Sequence, residues 1–243
     1  YARVKNKRYT LAVRRHTAGD TASDVLAEFC GLLESFAFDV EAMYLDREFY
    51  DSKCLTLLSA HNFSYVMPIV KWGPTIQQEL SGGWSRQIQH SLQADYAGHE
   101  WTVEFPVFID ATYQQGRYDE HGVARHGYAA DAPFIDTAQQ ARYHYAKRFG
   151  IEASYRLGES TTASTTTQNP TIRLLFVVVS LLLQNSWRYL HWEFVATPRC
   201  GGRRLWRWPF DEFVDMVTRA VWKAIVVRRS VPSNRPPDDR FDR

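Results

Sequence analysis

The sequence predicts an α/β fold, a sheet flanked by helices and interrupted by a β-rich stretch, on three observations. Short apolar runs at 40–45 and 65–70 bracket a helical segment at 51–60, which is a strand–helix–strand unit. Val25, Phe29, Leu32, Leu33 and Phe36 recur at helical spacing. Between 72 and 137 that pattern gives way to alternating runs and glycines.

Each element follows in order. Residues 1–4 and 8–14 read as strands of a hairpin turning at Lys5, Asn6 and Lys7. An amphipathic helix is expected over 21–36, with Thr21 or Ser23 able to cap it. The strand at 40–45 ends at Asp46, the helix 51–60 follows, and 65–70 is a buried strand. Within 72–137, the turn at Gly82 and Gly83, the runs 88–92 and 101–109, and then Gly116, Gly122 and Gly127 mark a mostly β insertion. Helix returns over 137–157. A Ser/Thr-rich loop spans 159–170, an apolar helix 171–191, and a basic loop runs through Arg199, Arg203, Arg204 and Arg207. The last helix sets Phe210, Phe213, Val214, Val217, Val221 and Ile225 on one face. The expected domains are a core split between 1–71 and 138–229, an insertion at 72–137, and a disordered tail at 230–243.

Composition is globular: 45% hydrophobic, 23% charged, with eight Trp in 243 residues. Net charge is only +2, yet its distribution is uneven. Residues 1–15 carry six basic groups and no acidic one, whereas 16–60 carry nine acidic groups against Arg47 and Lys53. Residues 199–229 carry eight basic groups against three acidic. Basic segments flanking an acidic stretch suit a polyanion partner. Cys30, Cys54 and Cys200 lack metal-ligand spacing and read as reduced thiols. The longest apolar run, 174–183, is too short to span a bilayer, so a cytoplasmic protein without a membrane partner is expected.

The chemistry concentrates in 145–159. Tyr145, Arg148 and Glu152, spaced three and four apart, share a face on a continuous helix. A carboxylate binds divalent metal and a neighbouring arginine holds phosphate, a grouping suited to phosphodiester chemistry. Asp46, at a strand's carboxyl end and followed by Arg47-Glu48-Phe49-Tyr50, stands where α/β sheets gather ligands.

The Tyr145-x2-Arg148-x3-Glu152 spacing resembles the Y-R-E-K signature of DDE transposases of the insertion-sequence type, most nearly those of archaeal insertion elements. The stretch around Asp46 resembles that family's second catalytic aspartate, and Gln184-Asn185-Ser186-Trp187-Arg188 resembles the helix after its glutamate. The resemblance runs over roughly 1–229. It implies a ribonuclease-H-like mixed sheet flanked by helices, with a β-rich insertion before the catalytic glutamate helix. It also implies cleavage and strand transfer of double-stranded DNA by two Mg²⁺ or Mn²⁺ ions, with Asp46 and Glu152 as catalytic metal ligands. Tyr145 and Arg148 would contact DNA phosphates, and a homodimer on DNA is the family's usual form. The family's lysine falls here on Glu159, so Arg156 is the candidate to supply that charge. The family's first aspartate has no counterpart in its place. Asp110 follows Asp46 instead of preceding it, and the chain is expected to begin after the strand that carries the first aspartate. A non-catalytic DNA-binding remnant is therefore the alternative. A carbohydrate-active enzyme would suit the tryptophans and carboxylates but explains neither the Tyr-Arg-Glu spacing nor the basic ends.

Overall fold

The computed structural model describes residues 1–229 apart from 5–6, 37–38, 97–98, 114–121, 160, 164, 200–201 and 205–207. The expected tail at 230–243 lies outside the described residues. The chain divides into two compact units, Tyr1–Val13 with Ser154–Arg243, and Arg14–Ala153.

In the first unit, β1 (Ala2–Val4) and β2 (Lys7–Tyr9) form the expected antiparallel hairpin. The second strand stops early because Thr10 finds other partners. Its amide donates to Asn185 Oδ1 at 3.0 Å, and Asn185 Nδ2 donates back to its carbonyl at 2.8 Å. A side-chain amide thus replaces the strand ladder.

The unit Arg14–Ala153 is a mixed sheet flanked by helices, an α/β architecture. Helix α1 (Ala22–Glu34) starts at Thr21 in a capping box with Asp24. Strand β3 (Met43–Tyr44), helix α2 (Ser52–Ala60) and strand β4 (Tyr65–Pro68) make the parallel strand–helix–strand unit, with Asp51 capping α2. A short helix not legible in the sequence, α3 (Pro74–Ser81), follows; it opens with Pro74 after Gly73, a residue at φ 91°. Strands β5 (Arg86–Tyr96), β6 (His99–Tyr113) and β7 (Val123–Asp131) then form an antiparallel meander, and β7 pairs with β4. The sheet order is β3-β4-β7-β6-β5, so the β-rich stretch extends the sheet of the strand–helix–strand unit. Helix α4 (Ala138–Ala146) starts at Thr137, again in a capping box.

Period-two alternation sends neighbouring residues to opposite faces. Tyr65, Met67, Phe105, Val107, Ile109 and Ala129 meet α1, α2 and α3 through Leu26, Cys54, Leu55, Leu58 and Ile76. Val66, Phe108, Tyr128 and Ala130 meet α4 through Ala138, Ala141 and Tyr145. Each fully buried Leu or Ile contributes about 1.5–3 kcal/mol by leaving water. Cys30 and Cys54 belong to the first of these layers, and burial pushes their thiols up to about 11 and about 12. Since the thiolate is the reactive form, both are expected to resist a disulfide-exchange reagent at pH 8 until the unit unfolds. Residue-resolved labelling before and after denaturant checks this; fast native labelling of either thiol contradicts the packing.

The described remainder of the first unit is mostly helical. Helix α5 (Gly150–Glu159) crosses the division between the units, and α6 (Pro170–Leu190) continues through a π-turn at His191–Val195. Gly158 allows close approach of α5 and α6: a Cβ there would meet Gln184 Nε2 at 2.8 Å, and Ser180 Oγ donates to its carbonyl at 2.8 Å. Arg188 donates to the Arg8 carbonyl at 2.6 Å and Ser154 Oγ at 2.9 Å. Taken whole, Pro170–Val195 is 26 residues and is long and apolar enough to cross a bilayer by length and composition. The uninterrupted apolar run 174–183 is shorter than this helix because it stops before Asn185 and Arg188, which bind Thr10, Arg8 and Ser154. A small hairpin, β8 (Thr197–Arg199) and β9 (Gly202–Arg204), precedes the last helix, α7 (Phe210–Arg229).

Candidate functional site

Asp46 follows β3, an edge strand of the sheet, and caps a 3-10 turn over Arg47–Phe49. Its Oδ1 accepts from the Arg47 amide at 2.7 Å. Its Oδ2 accepts from Arg148 Nη2, also at 2.7 Å, although 102 positions separate the two residues. Two residues singled out from the sequence for one chemistry are therefore in contact.

Arg148 does not sit on a regular helix. A 3-10 turn, Lys147–Phe149, breaks the helix expected over 137–157, and α5 restarts at Gly150. Glycine is a poor helix residue, and a tightened turn before it is a common form of interruption. Tyr145, Arg148 and Glu152 consequently lie in three successive elements instead of along one helical face. Tyr145 ends up 8% exposed, with its ring 5.5 Å from Tyr128 and 6.3 Å from Phe149. The Arg148 guanidinium lies 5.9 Å from that ring. Burial pushes the Tyr145 phenol up, and the Arg148 charge partly offsets it. The aromatic wall helps hold Arg148 toward Asp46.

Glu152 is in α5, but its side chain lies outside the described residues, as do residues Cys200 and Arg207. Arg156 and Glu159 are both exposed on α5, within the other unit. Among the described residues, no group of three or more His, Cys, Asp or Glu side chains is arranged to hold a metal ion. A pair of Mg²⁺ ions needs more oxygen donors than Asp46 alone, so the described donors do not complete such a cradle.

Asp110 belongs to a separate network. It is on β6, three strands across from β3, about 14 Å at ordinary strand spacing and too far to grip one ion together with Asp46. Its buried carboxylate accepts from Arg142 Nη1 at 3.0 Å, Thr112 Oγ1 at 3.0 Å and Ser85 Oγ at 3.5 Å. Arg142 also donates to Thr112 Oγ1.

The same end of the sheet also carries two open tryptophans. Trp72 and Trp84 are 83% and 89% exposed. Their loops are stitched together: Lys71 Nζ donates to the Arg125 carbonyl at 3.0 Å, and Arg125 Nε donates to the Gly83 carbonyl at 3.4 Å. Two open indoles thus flank a lysine and an arginine. The only signal in the sequence was a tryptophan next to a basic residue or a glycine turn, which also fits packing against a core.

No family model matches the sequence, and no curated protein matches it.

Proposed function

We propose that this chain is the catalytic region of a DDE transposase with a ribonuclease-H-like core, acting on double-stranded DNA with Mg²⁺ or Mn²⁺. The observation that carries this reading is the 2.7 Å contact between Asp46 and Arg148, which joins the two sequence stretches that resemble the family. A mixed sheet flanked by helices, with Asp46 just after a parallel strand, supports it further. In this reading Asp46 and Glu152 are the metal-binding carboxylates, and a bound pair of ions would supply Lewis acidity and an activated oxygen nucleophile. Arg148, held by Asp46 and Tyr145, faces DNA phosphates. Tyr145 positions Arg148 from a buried site. The chain's own contribution to DNA affinity is electrostatic and weakens steeply with salt.

A second reading, DNA binding without cleavage, is favoured by one observation: both oxygens of Asp46 already accept hydrogen bonds from Arg47 and Arg148. The two readings separate in one experiment. The chain is incubated with a plasmid carrying the DNA that flanks its coding sequence, with Mg²⁺, Mn²⁺ or EDTA. Cleavage at the element boundary that needs metal supports the first; salt-sensitive binding without cleavage supports the second; neither cleavage nor binding removes both.

Trp72 and Trp84 suit stacking on unpaired bases, where each stacked base is worth about 1–3 kcal/mol. Replacing both with alanine is expected to weaken binding of a single-stranded oligonucleotide about thirtyfold or more. The salt dependence should stay unchanged, because Lys71 and Arg125 remain. Fluorescence titration at two salt concentrations checks this.

A further inference from the structure

Helix α6 has its polarity inverted. The face it turns to its own unit is largely small and polar. Ser180 and Gln184 are buried, Ser180 Oγ donates to the Gly158 carbonyl at 2.8 Å, and Asn185 and Arg188 hold the backbone of Thr10 and Arg8. The opposite face is apolar and open. Ile172, Leu175, Val179, Leu182 and Tyr189 recur at steps that keep them in one row, with exposed Ser186 completing it. Leu175 and Leu182 are 56% and 58% exposed. The row runs about 26 Å along the helix. A surface helix of a globular protein turns such a stripe inward, so this one asks for a cover.

Charge says what that cover is. Phe176, Val178, Leu183 and Asn185 beside the row carry none, so nothing there selects a partner helix through the flanking ion pairs of a coiled coil. No acidic residue lies between Glu159 and Glu193. The unit that contains α6 holds 18 Lys and Arg against 8 Asp and Glu, a net +10, whereas Arg14–Ala153 holds 11 against 19. A charge of that size draws the unit to a polyanion. A nucleic acid matches the charge but offers no aliphatic medium for Leu175, Val179 and Leu182. An anionic lipid surface matches both. The inner face of α6 decides between lying on the bilayer and crossing it. Asn185 and Arg188 would drag the backbone of Thr10 and Arg8 into hydrocarbon, although the helix is long enough to span.

We propose that α6 lies on an anionic membrane surface, its outer row seated among the acyl chains below the headgroups and Tyr189 at the polar boundary. The basic unit supplies the long-range attraction and the apolar row supplies the hold. The inference does not rest on the DNA reading, whose residues Asp46, Arg148 and Glu152 belong to the other unit.

Co-sedimentation of the full chain with vesicles, without DNA, tests it. Phosphatidylglycerol vesicles should be bound at least tenfold more tightly than phosphatidylcholine vesicles. Leu175→Gln with Leu182→Gln leaves the charge unchanged and should weaken binding about twentyfold or more, because each leucine has about half its surface still to bury. Leu175→Met with Leu182→Met should keep the binding, and circular dichroism checks that both variants retain their helices. Alkaline carbonate should strip the bound protein from the vesicles. No binding to either lipid, equal binding to both, a glutamine variant that binds like the wild type, or a methionine variant that does not bind overturns the proposal. Protein that resists carbonate overturns it in favour of a span. Duplex DNA binding that is lost in the glutamine variant, with no vesicle binding, overturns it in favour of a nucleic-acid surface.

Discussion

Asp46→Asn is expected to abolish metal-dependent DNA cleavage, by roughly a thousandfold or more, while duplex binding stays near that of the wild type. Asparagine is among the best capping residues, so the hydrogen bond from the Arg47 amide survives and the 3-10 turn keeps its start. The ion pair with Arg148 is lost, but Asp46 is half exposed, and such pairs contribute about 1 kcal/mol or less. The fold therefore changes little. The missing negative charge acts on the metal, where Lewis-acid stabilisation is worth several kcal/mol, and each 1.36 kcal/mol is about tenfold in rate. A readout apart from activity is Mn²⁺ binding, followed by paramagnetic relaxation of solvent water, which should weaken in the variant. Arg148→Ala distinguishes the roles: it should weaken duplex binding and leave Mn²⁺ binding intact. If Asp46→Asn cleaves like the wild type, Asp46 merely holds Arg148 and is not a metal ligand.

What the sequence made legible was local. Thr21 with Asp24, Asp51 before Ser52 and Thr137 with Gln140 announce helix starts because one side chain satisfies a nearby orphan amide. The parallel pair β3–β4 was readable because α2 fits between two apolar runs. The junction of β4 with β7 was not, since register between strands some sixty residues apart leaves no local mark. The break at Lys147–Phe149 hid behind a strong helical pattern, although Gly150 marked its place. Asp46 and Arg148 were each nameable in advance, whereas a contact between residues 102 positions apart leaves no local mark. The exposed pair Trp72 and Trp84 was the least legible, because exposure of an aromatic is a tertiary property.

Removing the guanidinium above Asp110 is expected to be the costliest single change on that face of the sheet. Asp110 is 4% exposed in its side chain and Arg142 is 48% exposed, so Arg142→Ala strands a buried carboxylate on only hydroxyl donors. Breaking a buried pair costs about 3–5 kcal/mol, and screening of the half-exposed guanidinium places this case near the lower end. The loss also removes the polar tie between α4 and β6, where Arg142 reaches both Asp110 and Thr112. Asp110→Asn keeps the shape of the side chain while removing the stranded charge, so Asp110→Asn with Arg142→Ala should be more stable than Arg142→Ala alone. Urea unfolding of the four proteins gives the coupling energy, provided the denaturant slope is common to all. A double variant no more stable than Arg142→Ala would show that the charge is not what matters. The same Asp110→Asn protein bears on the candidate site, because it should cleave and bind DNA like the wild type. Failure of cleavage in a stably folded Asp110→Asn would move the chemistry away from β3 and toward the centre of the meander.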